Sequence, residues 1–448
     1  MSKRNRDNSG FASIILVVII FLIAFVLLFN PGNSDDSYSD DELKTISSLM
    51  SLYTDEYDDD YYENSSNGDE STEEDDTKQV RSEYTKQKED FSESYGDKDY
   101  VYDYWLLSNV EKVIYDRIQN GIDDGTFEAS FGDMRPKPKS DELQRAVDAF
   151  KADHPEYHWI LYYEYYSDSI FSNGVSSVSL TNFYYADSYG EMVETSGELS
   201  SALDKVCNQI SRYGSDYEKV KAAHDYLVLN CVYDYDAIEK DSYSEMSGGQ
   251  QMAYTAYGAL VNGRCVCAGY AKAFELIMHR FGIKCGYVSG ETYTGGLHAW
   301  NIVELDGDNY YIDVTWDDYE SYDDYGNNIY PDFAEYEYFC VDSKTFSQTH
   351  YDSDEFVLPL CTADKYNYFI REDCYITDRN QYSLIKRAFD RQATSYNVSI
   401  RFANSSLQSY YWSDCCSYAG DVYKRMDFDD YSVFSNDEQY IYHFYFYH

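Results

Sequence analysis

The spacing of apolar residues changes along the chain, and each spacing predicts a different kind of element. At the N-terminus, residues 11–29 form an uncharged run of 19 residues. As a helix rising about 1.5 Å per residue, such a run spans about 28 Å, close to the apolar thickness of a bilayer. Basic residues precede it and acidic residues follow it, so the positive-inside rule predicts a cytoplasmic N-terminus and an extracellular remainder. We therefore predict that residues 1–30 are a short cytoplasmic segment and a single-pass cell membrane anchor; a cleaved signal peptide is the alternative.

Helical spacing of apolar positions recurs in the middle of the chain and then gives way to strand-like runs. In residues 268–281 aromatic and aliphatic residues fall on one stripe, and Gly282 stops the helix. A hairpin turn is predicted at Asp306 and Gly307. Helices followed by antiparallel strands predict an α+β fold rather than a doubly wound sheet. Helices are predicted at 142–153, 198–211, 217–229 and 268–281, and strands at 177–185, 284–289, 299–305 and 310–315.

Composition divides the chain into predicted regions. Residues 31–99 are dominated by Asp, Glu, Ser and Tyr, which predicts a disordered acidic tether that like-charge repulsion extends. Ordered structure is predicted from residue 100. We predict an N-terminal α/β extension at 100–196 that packs on the core, a core at 197–351, and a small C-terminal α/β appendage at 352–448 with a helix at 382–391 and strands at 396–402 and 440–446.

Charge and cysteine content narrow the function classes. Hydrophobic residues make up 44% of the 448 residues, enough for a substantial core. The 81 acidic and 35 basic residues give a formal net charge of −46, which repels phosphates and predicts no nucleic acid partner. Ten cysteines in an exported chain would suggest disulfides, but their spacing leaves the pairing open. No CxxC pattern is present, so we predict no structural zinc site.

Three residues in the predicted core could together carry nucleophilic chemistry. Cys267 directly precedes the helix at 268–281, where the helix dipole favours a thiolate. A two-residue turn in the hairpin sets Asp313 opposite Trp300 and diagonal to His298 on one face of the sheet, whereas a three-residue loop would separate them. Asp313 could then hold one ring nitrogen of His298 and leave the other for the thiol. Taken singly, each of the three could be a packing or turn residue.

The residues around these positions resemble the transglutaminase-like superfamily. The segments GRCVCAGYAKAF, HAWNIVELDGDNYYIDVTWDD and YFCVDS are similar to its bacterial extracellular members with a Cys, His, Asp triad, over about 197–351. The resemblance implies a papain-like α+β core, no metal or organic cofactor, and acyl transfer through a thioester. It implies that Cys267 is the nucleophile, His298 the base and Asp313 the orienting acid. Cys265 stands where similar sequences carry a non-thiol residue, and Cys267 is favoured because it directly precedes the AGYA helix start.

The expected activity leaves several points open. The backbone amide of Cys267 is a natural oxyanion donor, and Gln250, Gln251, Tyr254 or Tyr257 could add a second, with Tyr257 our choice. We predict a membrane-anchored extracellular thiol enzyme that cleaves or crosslinks peptide or carboxamide groups, with a protein or cell-wall peptide as substrate. A catalytically silent binding or adhesion module of the cell envelope is the alternative. The oligomeric state is left open.

Overall fold

The structure, a computed structural model, describes most of the chain beyond the first 100 residues. The predicted anchor at 1–30 and the predicted tether at 31–99 lie outside the described residues. Among the helices that are described, none combines the length and the apolarity needed to cross a bilayer. The described residues are 101–160, 163–167, 174–180, 189–240, 246–318, 334–353 and 357–447.

The N-terminal part mixes helices with a small sheet. Its elements are α1 (Asn109–Asp123), β1 (Glu128–Ser130), α2 (Ser140–Asp153), β2 (Glu164–Ser167) and β3 (Val175–Ser179). The strands are antiparallel in the order β1-β3-β2. Ser108 starts α1 by accepting the amide of Glu111, whose carboxylate accepts the amide of Ser108 in return. Phe150 and Trp159 are fully buried in an apolar cluster of this part.

The central part packs helices against a five-stranded antiparallel sheet. Its elements are α3 (Tyr189–Ile210), α4 (Asp216–Asn230), β4 (Val232–Tyr233), α5 (Tyr235–Ile238), α6 (Gly248–Met252), β5 (Arg264–Cys265), α7 (Cys267–Arg280), β6 (Cys285–Thr292), β7 (Leu297–Leu305), β8 (Asp308–Ile312), β9 (Phe339–Val341), α8 (Ser343–Phe346) and β10 (His350–Asp352). The sheet order is β10-β6-β7-β8-β9, and α7 packs against β6 and β7. The mixture of helices and antiparallel sheet agrees with the predicted α+β class.

The predicted hairpin between β7 and β8 is confirmed. Leu305 pairs with Asp308, so Asp306 and Gly307 are the two turn residues. Their φ angles are 54° and 85°, and positive φ at both positions is typical of the type I′ turns that match the twist of a hairpin. Strand β8 ends at Ile312, so Asp313 is the first residue after the strand.

The C-terminal part forms a mixed sheet with helices. Its elements are α9 (Tyr368–Arg371), β11 (Tyr375–Ile376), α10 (Tyr382–Gln392), β12 (Asn397–Phe402), α11 (Ser405–Met426), β13 (Asp430–Asn436) and β14 (Ile441–Tyr447). The strand order is β11-β12-β14-β13, with only the β11–β12 pair parallel among the described strands of this sheet. Leu276 of α7, Phe339 of β9 and Phe444 of β14 belong to one buried apolar cluster. The predicted appendage thus shares a hydrophobic core with the central part.

Most predicted helices are confirmed, with differences at their ends. Helices α2, α4, α7 and α10 match the predictions closely, and Ser215 caps α4 as expected. Helix α3 begins earlier than predicted, and α1 and α11 are not predicted at all. The strand predicted at 177–185 is observed as β3, which ends at Ser179, and residues 181–185 lie outside the described residues. Strand β8 ends before the predicted residue 315 because Asp313 starts a turn.

A buried ionic cluster joins the central part to the C-terminal sheet. The Nε2 atom of His443 lies 2.6 Å from Glu337 Oε1, and its Nδ1 atom lies 2.8 Å from Ser399 Oγ. The hydroxyl of Tyr445 donates to the carboxylate of Glu335. Burial would lower the pKa of His443, but the charges of Glu335 and Glu337 raise it to about 9. Burial raises the pKa of Glu335 to about 7.

Candidate active site

Cys267 is the first residue of α7, and Val266 before it has extended backbone. Unpaired amides and the positive end of the helix dipole lie at this position. Gly269 is required because a Cβ there would lie 2.5 Å from the Ala253 carbonyl oxygen and 2.6 Å from the Cys265 Cβ. Cys267 is partly exposed, whereas Cys265 is fully buried, and burial raises the pKa of the Cys265 thiol well above its usual range. Cys267 is therefore the accessible thiol of the two.

His298 joins the thiol to Asp313. Its Nε2 atom lies 2.6 Å from Asp313 Oδ2, and the ring also hydrogen bonds with Cys267. Because Asp313 engages Nε2, the nitrogen left for the thiol is Nδ1. Burial would lower the pKa of His298, but the charge of Asp313 and the hydrogen bonds to Asp313 and Cys267 raise it to about 10. Burial would raise the pKa of Asp313, but His298 and other donors hold it well below its usual range. Such a site favours the imidazolium form of His298.

A second imidazole that the sequence analysis did not identify reaches the same carboxylate. The Nε2 atom of His350, on β10, lies 3.0 Å from Asp313 Oδ2. The amides of Thr315 and Trp316 donate to Asp313 Oδ1 at 3.0 and 3.1 Å. His350 and Asp313 are 2% and 0% exposed. Only a long-range strand pairing, in which His350 faces Thr292 of β6, brings this residue to the site.

An open cleft of about 950 Å³ exposes both Cys267 and His298. Tyr233 and Tyr254 line it as well. Tyr233 hydrogen bonds with the Cys267 side chain, and its pKa is raised by burial and then by the charge of Cys267. It comes close because β4 runs parallel to β5, with Tyr233 opposite Cys265. The cleft therefore offers a phenol beside the thiol, which the sequence analysis missed because a two-residue parallel pairing leaves no pattern.

The structure does not bring Tyr257, the oxyanion donor chosen from the sequence, to the thiol. Its hydroxyl donates to Glu198 of α3, and Tyr257 is not among the residues that line the cleft. The side-chain amides of Gln250 and Gln251 donate to main-chain carbonyls outside the cleft. Proximity in the chain placed Tyr257 near the site without fixing the direction of its side chain. The phenols that line the cleft are instead those of Tyr233, Tyr254, Tyr287 and Tyr351, and of these Tyr233 contacts the Cys267 side chain.

Among the residues that the structure describes, two groups of side chains have ligand atoms close enough to surround a metal ion. The first contains His298, Asp313 and His350, and in the second His443 lies with Glu335 and Glu337; within each group the atoms lie within 4.8 Å of one another. In both groups these atoms hydrogen bond with one another or with neighbouring side chains. The expectation that the protein uses no metal or organic cofactor stays a prediction.

Comparisons with known proteins found similarity to part of this chain. Residues 204–314 match the family model of the transglutaminase-like superfamily. Human kyphoscoliosis peptidase is 28% identical over 153 residues, covering 31% of this chain and 21% of that protein. Mouse kyphoscoliosis peptidase is 28% identical over 131 residues, covering 26% of this chain and 18% of that protein. A solved crystal structure of a TGase is 20% identical, covers 34% of this chain and 44% of that chain, and has a TM-score of 0.24.

The chain therefore contains a transglutaminase-like domain at 204–314, and the resemblance inferred from its motifs is confirmed. This superfamily generally consists of cysteine-dependent enzymes. The chain spans about a fifth of the length of the curated relatives that it matches.

Proposed function

We propose that the chain is a cysteine-dependent acyl transferase or peptidase that acts on peptide or carboxamide groups through a thioester on Cys267. One observation carries the proposal: the Cys267 thiol, the His298 imidazole and the Asp313 carboxylate form a continuous hydrogen-bonded line that opens to a cleft. A packing role would not require a buried carboxylate to stabilise a histidine whose other nitrogen meets an accessible thiol.

The reaction begins with the thiol proton held on His298. The Cys267 sulfur attacks the substrate carbonyl carbon, a C–S bond forms, and the oxygen gains negative charge. We propose the backbone amide of Cys267 and the hydroxyl of Tyr233, which contacts the Cys267 side chain, as the donors that stabilise that oxygen. When the C–N bond breaks, His298 gives its proton to the leaving nitrogen and a thioester remains. Asp313 keeps the imidazole oriented and stabilises its charged form.

The second half of the reaction decides the product. Water that loses its proton to His298 attacks the thioester carbon, which releases a carboxylic acid and restores the thiolate. A primary amine in place of water forms a new amide, which is a crosslink when the amine belongs to a protein. Both outcomes use the same residues, so we propose the shared thioester chemistry as the function.

We also propose that this enzyme acts outside the cell on a protein or cell-wall peptide. The uncharged run at 11–29, with basic residues before it and acidic residues after it, supports a membrane anchor and an exported domain. The net charge of −46 favours cationic or neutral substrates over acidic ones.

Thiol alkylation followed by product analysis tests the proposal. Iodoacetamide should alkylate Cys267 near neutral pH faster than thiols of the denatured chain, with the modified peptide identified by mass. A protein substrate is then incubated with and without an added primary amine: incorporated amine mass indicates transfer, and cleavage or deamidation indicates hydrolysis. Cys267→Ala should abolish both products, whereas Cys265→Ala should retain them. Slow alkylation of Cys267 together with unchanged function of Cys267→Ala would instead favour the binding or adhesion module.

A further inference from the structure

We propose that His350 is a positioning residue of the site, a second imidazole that fixes the Asp313 carboxylate so that Asp313 in turn orients His298. This inference rests on the proposed function and extends the Cys267, His298 and Asp313 line by one residue. His350 lies outside the family match at 204–314.

The acceptor capacity of Asp313 is fully used. A carboxylate has about four lone-pair directions, and the Asp313 carboxylate accepts four hydrogen bonds. His298 and His350 approach Oδ2 at 2.6 and 3.0 Å, and the amides of Thr315 and Trp316 approach Oδ1 at 3.0 and 3.1 Å. Rotation of the carboxylate would break several of these bonds at once. Without His350, one lone-pair direction of Oδ2 would lose its donor, although Asp313 itself is 0% exposed.

His350 is itself held on its other side. Its Nδ1 atom lies 2.9 Å from Thr349 Oγ1, and Thr349 Oγ1 donates to the Tyr338 hydroxyl at 3.2 Å. The ring stacks on Phe346 with 4.0 Å between ring centroids. The main-chain carbonyl of Tyr338 accepts the amide of Asp313 at 3.2 Å. The imidazole is thus fixed at both nitrogens and on one face, as a residue that positions another must be.

An ionised Asp313 is the acceptor that His350 requires. A carboxylate only accepts hydrogen bonds, so His350 must present Nε2–H to Asp313, while its Nδ1 atom lies within hydrogen-bond distance of Thr349 Oγ1. The titratable groups that surround His350 are Asp313, His298, Asp352 on its own strand, and Tyr338 through Thr349. An N–H donor favours the ionised carboxylate, so His350 keeps the negative charge at Asp313 that stabilises the His298 imidazolium.

The test measures the rate of Cys267 alkylation by iodoacetamide against pH in the full chain, which needs no substrate. His350→Phe keeps an aromatic ring without a donor, and His350→Asn has an amide too short to reach Asp313. Either change removes a donor that fixes the Asp313 carboxylate and so weakens its hold on the His298 imidazolium, and the acidic limb of the profile should therefore move up by about one pH unit, a rate loss of about tenfold on that limb. His350→Gln can place an amide N–H where Nε2 was, and its profile should stay close to that of the unmodified chain.

The outcomes separate this inference from the proposed function. If Cys267 of the unmodified chain reacts no faster than in the denatured chain, the proposed function fails. If it reacts fast but all His350 variants share its profile, or if His350→Gln is as slow as His350→Asn, only the role of His350 is refuted. The Gln and Asn variants differ by one methylene and decide the question even if the Phe variant does not fold. His443→Gln, a buried histidine far along the chain, is the control: it should lower stability without moving the acidic limb.

Discussion

The ionic cluster between the central and C-terminal parts predicts that the protein loses stability as the pH rises from neutral. His443 is 2% exposed and lies between the carboxylates of Glu335 and Glu337. Its pKa is raised to about 9 from an ordinary value of 6.5, against the opposing effect of burial. Replacing His443 by Gln removes the titrating group and keeps a hydrogen-bond donor of similar reach. We expect the substitution to reduce the free energy of unfolding at pH 6 and to flatten its dependence on pH.

The direction of this pH dependence follows from whether the folded or the unfolded state binds the proton more tightly. A histidine with a raised pKa in the folded state contributes stability that is fully present below pH 6.5 and is lost as the pH rises through 9. A displacement of about 2.5 pH units corresponds to about 3 kcal/mol. Glu335, with its pKa raised by burial to about 7, acts in the same direction between about pH 4.5 and 7, because the folded state again binds the proton more tightly.

Chemical denaturation between pH 6 and 9.5 measures the effect. The free energy of unfolding of the unmodified chain should fall by a few kcal/mol over this range, and that of His443→Gln should fall much less. His279→Gln is the matched control, because burial lowers the pKa of His279 to about 4 and the ring is neutral throughout the range. Parallel slopes for the unmodified chain and His443→Gln, or a stability that rises with pH, would refute the reasoning.

Three further substitutions test the site itself. Asp313→Asn removes the negative charge that raises the pKa of His298 against the effect of burial, so the imidazole should be neutral at pH 7. Cys267 alkylation at pH 6 should then slow by more than about tenfold. An unchanged pH profile would count against the proposed roles of Cys267, His298 and Asp313. Tyr233→Phe should lower kcat by about ten- to a hundredfold and retain KM, whereas a change confined to KM would assign Tyr233 to substrate binding. Gly269→Ala should lower the free energy of unfolding by about 1–3 kcal/mol through overpacking. A denaturation midpoint equal to that of the unmodified chain would contradict the close approach of Gly269 to Ala253 and Cys265.

Local patterns account for the part of the site that the sequence analysis predicted. The start of α7 follows from an extended residue before Cys267 and from apolar helical spacing after it. The contact between His298 and Asp313 follows from a two-residue turn, because hairpin register is set within a few residues. Both features depend on neighbours in the chain, and a single sequence contains that information.

The rest of the site depends on pairings between distant segments. His350 reaches Asp313 only because β10 pairs with β6, and Tyr233 reaches Cys267 only because β4 pairs with β5. Strands β4, β5 and β10 are two or three residues long, too short to show alternation. The same limit explains Tyr257: proximity in the chain suggested that it lies near the thiol, but its side chain is directed to Glu198.

The surroundings of Asp313 have a practical consequence for how the protein can be divided. The match to the family model ends at residue 314, one residue past Asp313, yet Tyr338 and His350, which hydrogen bond with Asp313, lie beyond that boundary. A fragment that ended at residue 314 would lack Tyr338 and His350 and would expose the Asp313 carboxylate to water. The smallest fragment that retains all the contacts of Asp313 must therefore extend through β10. The segment that matches the family model is thus shorter than the segment that builds the site.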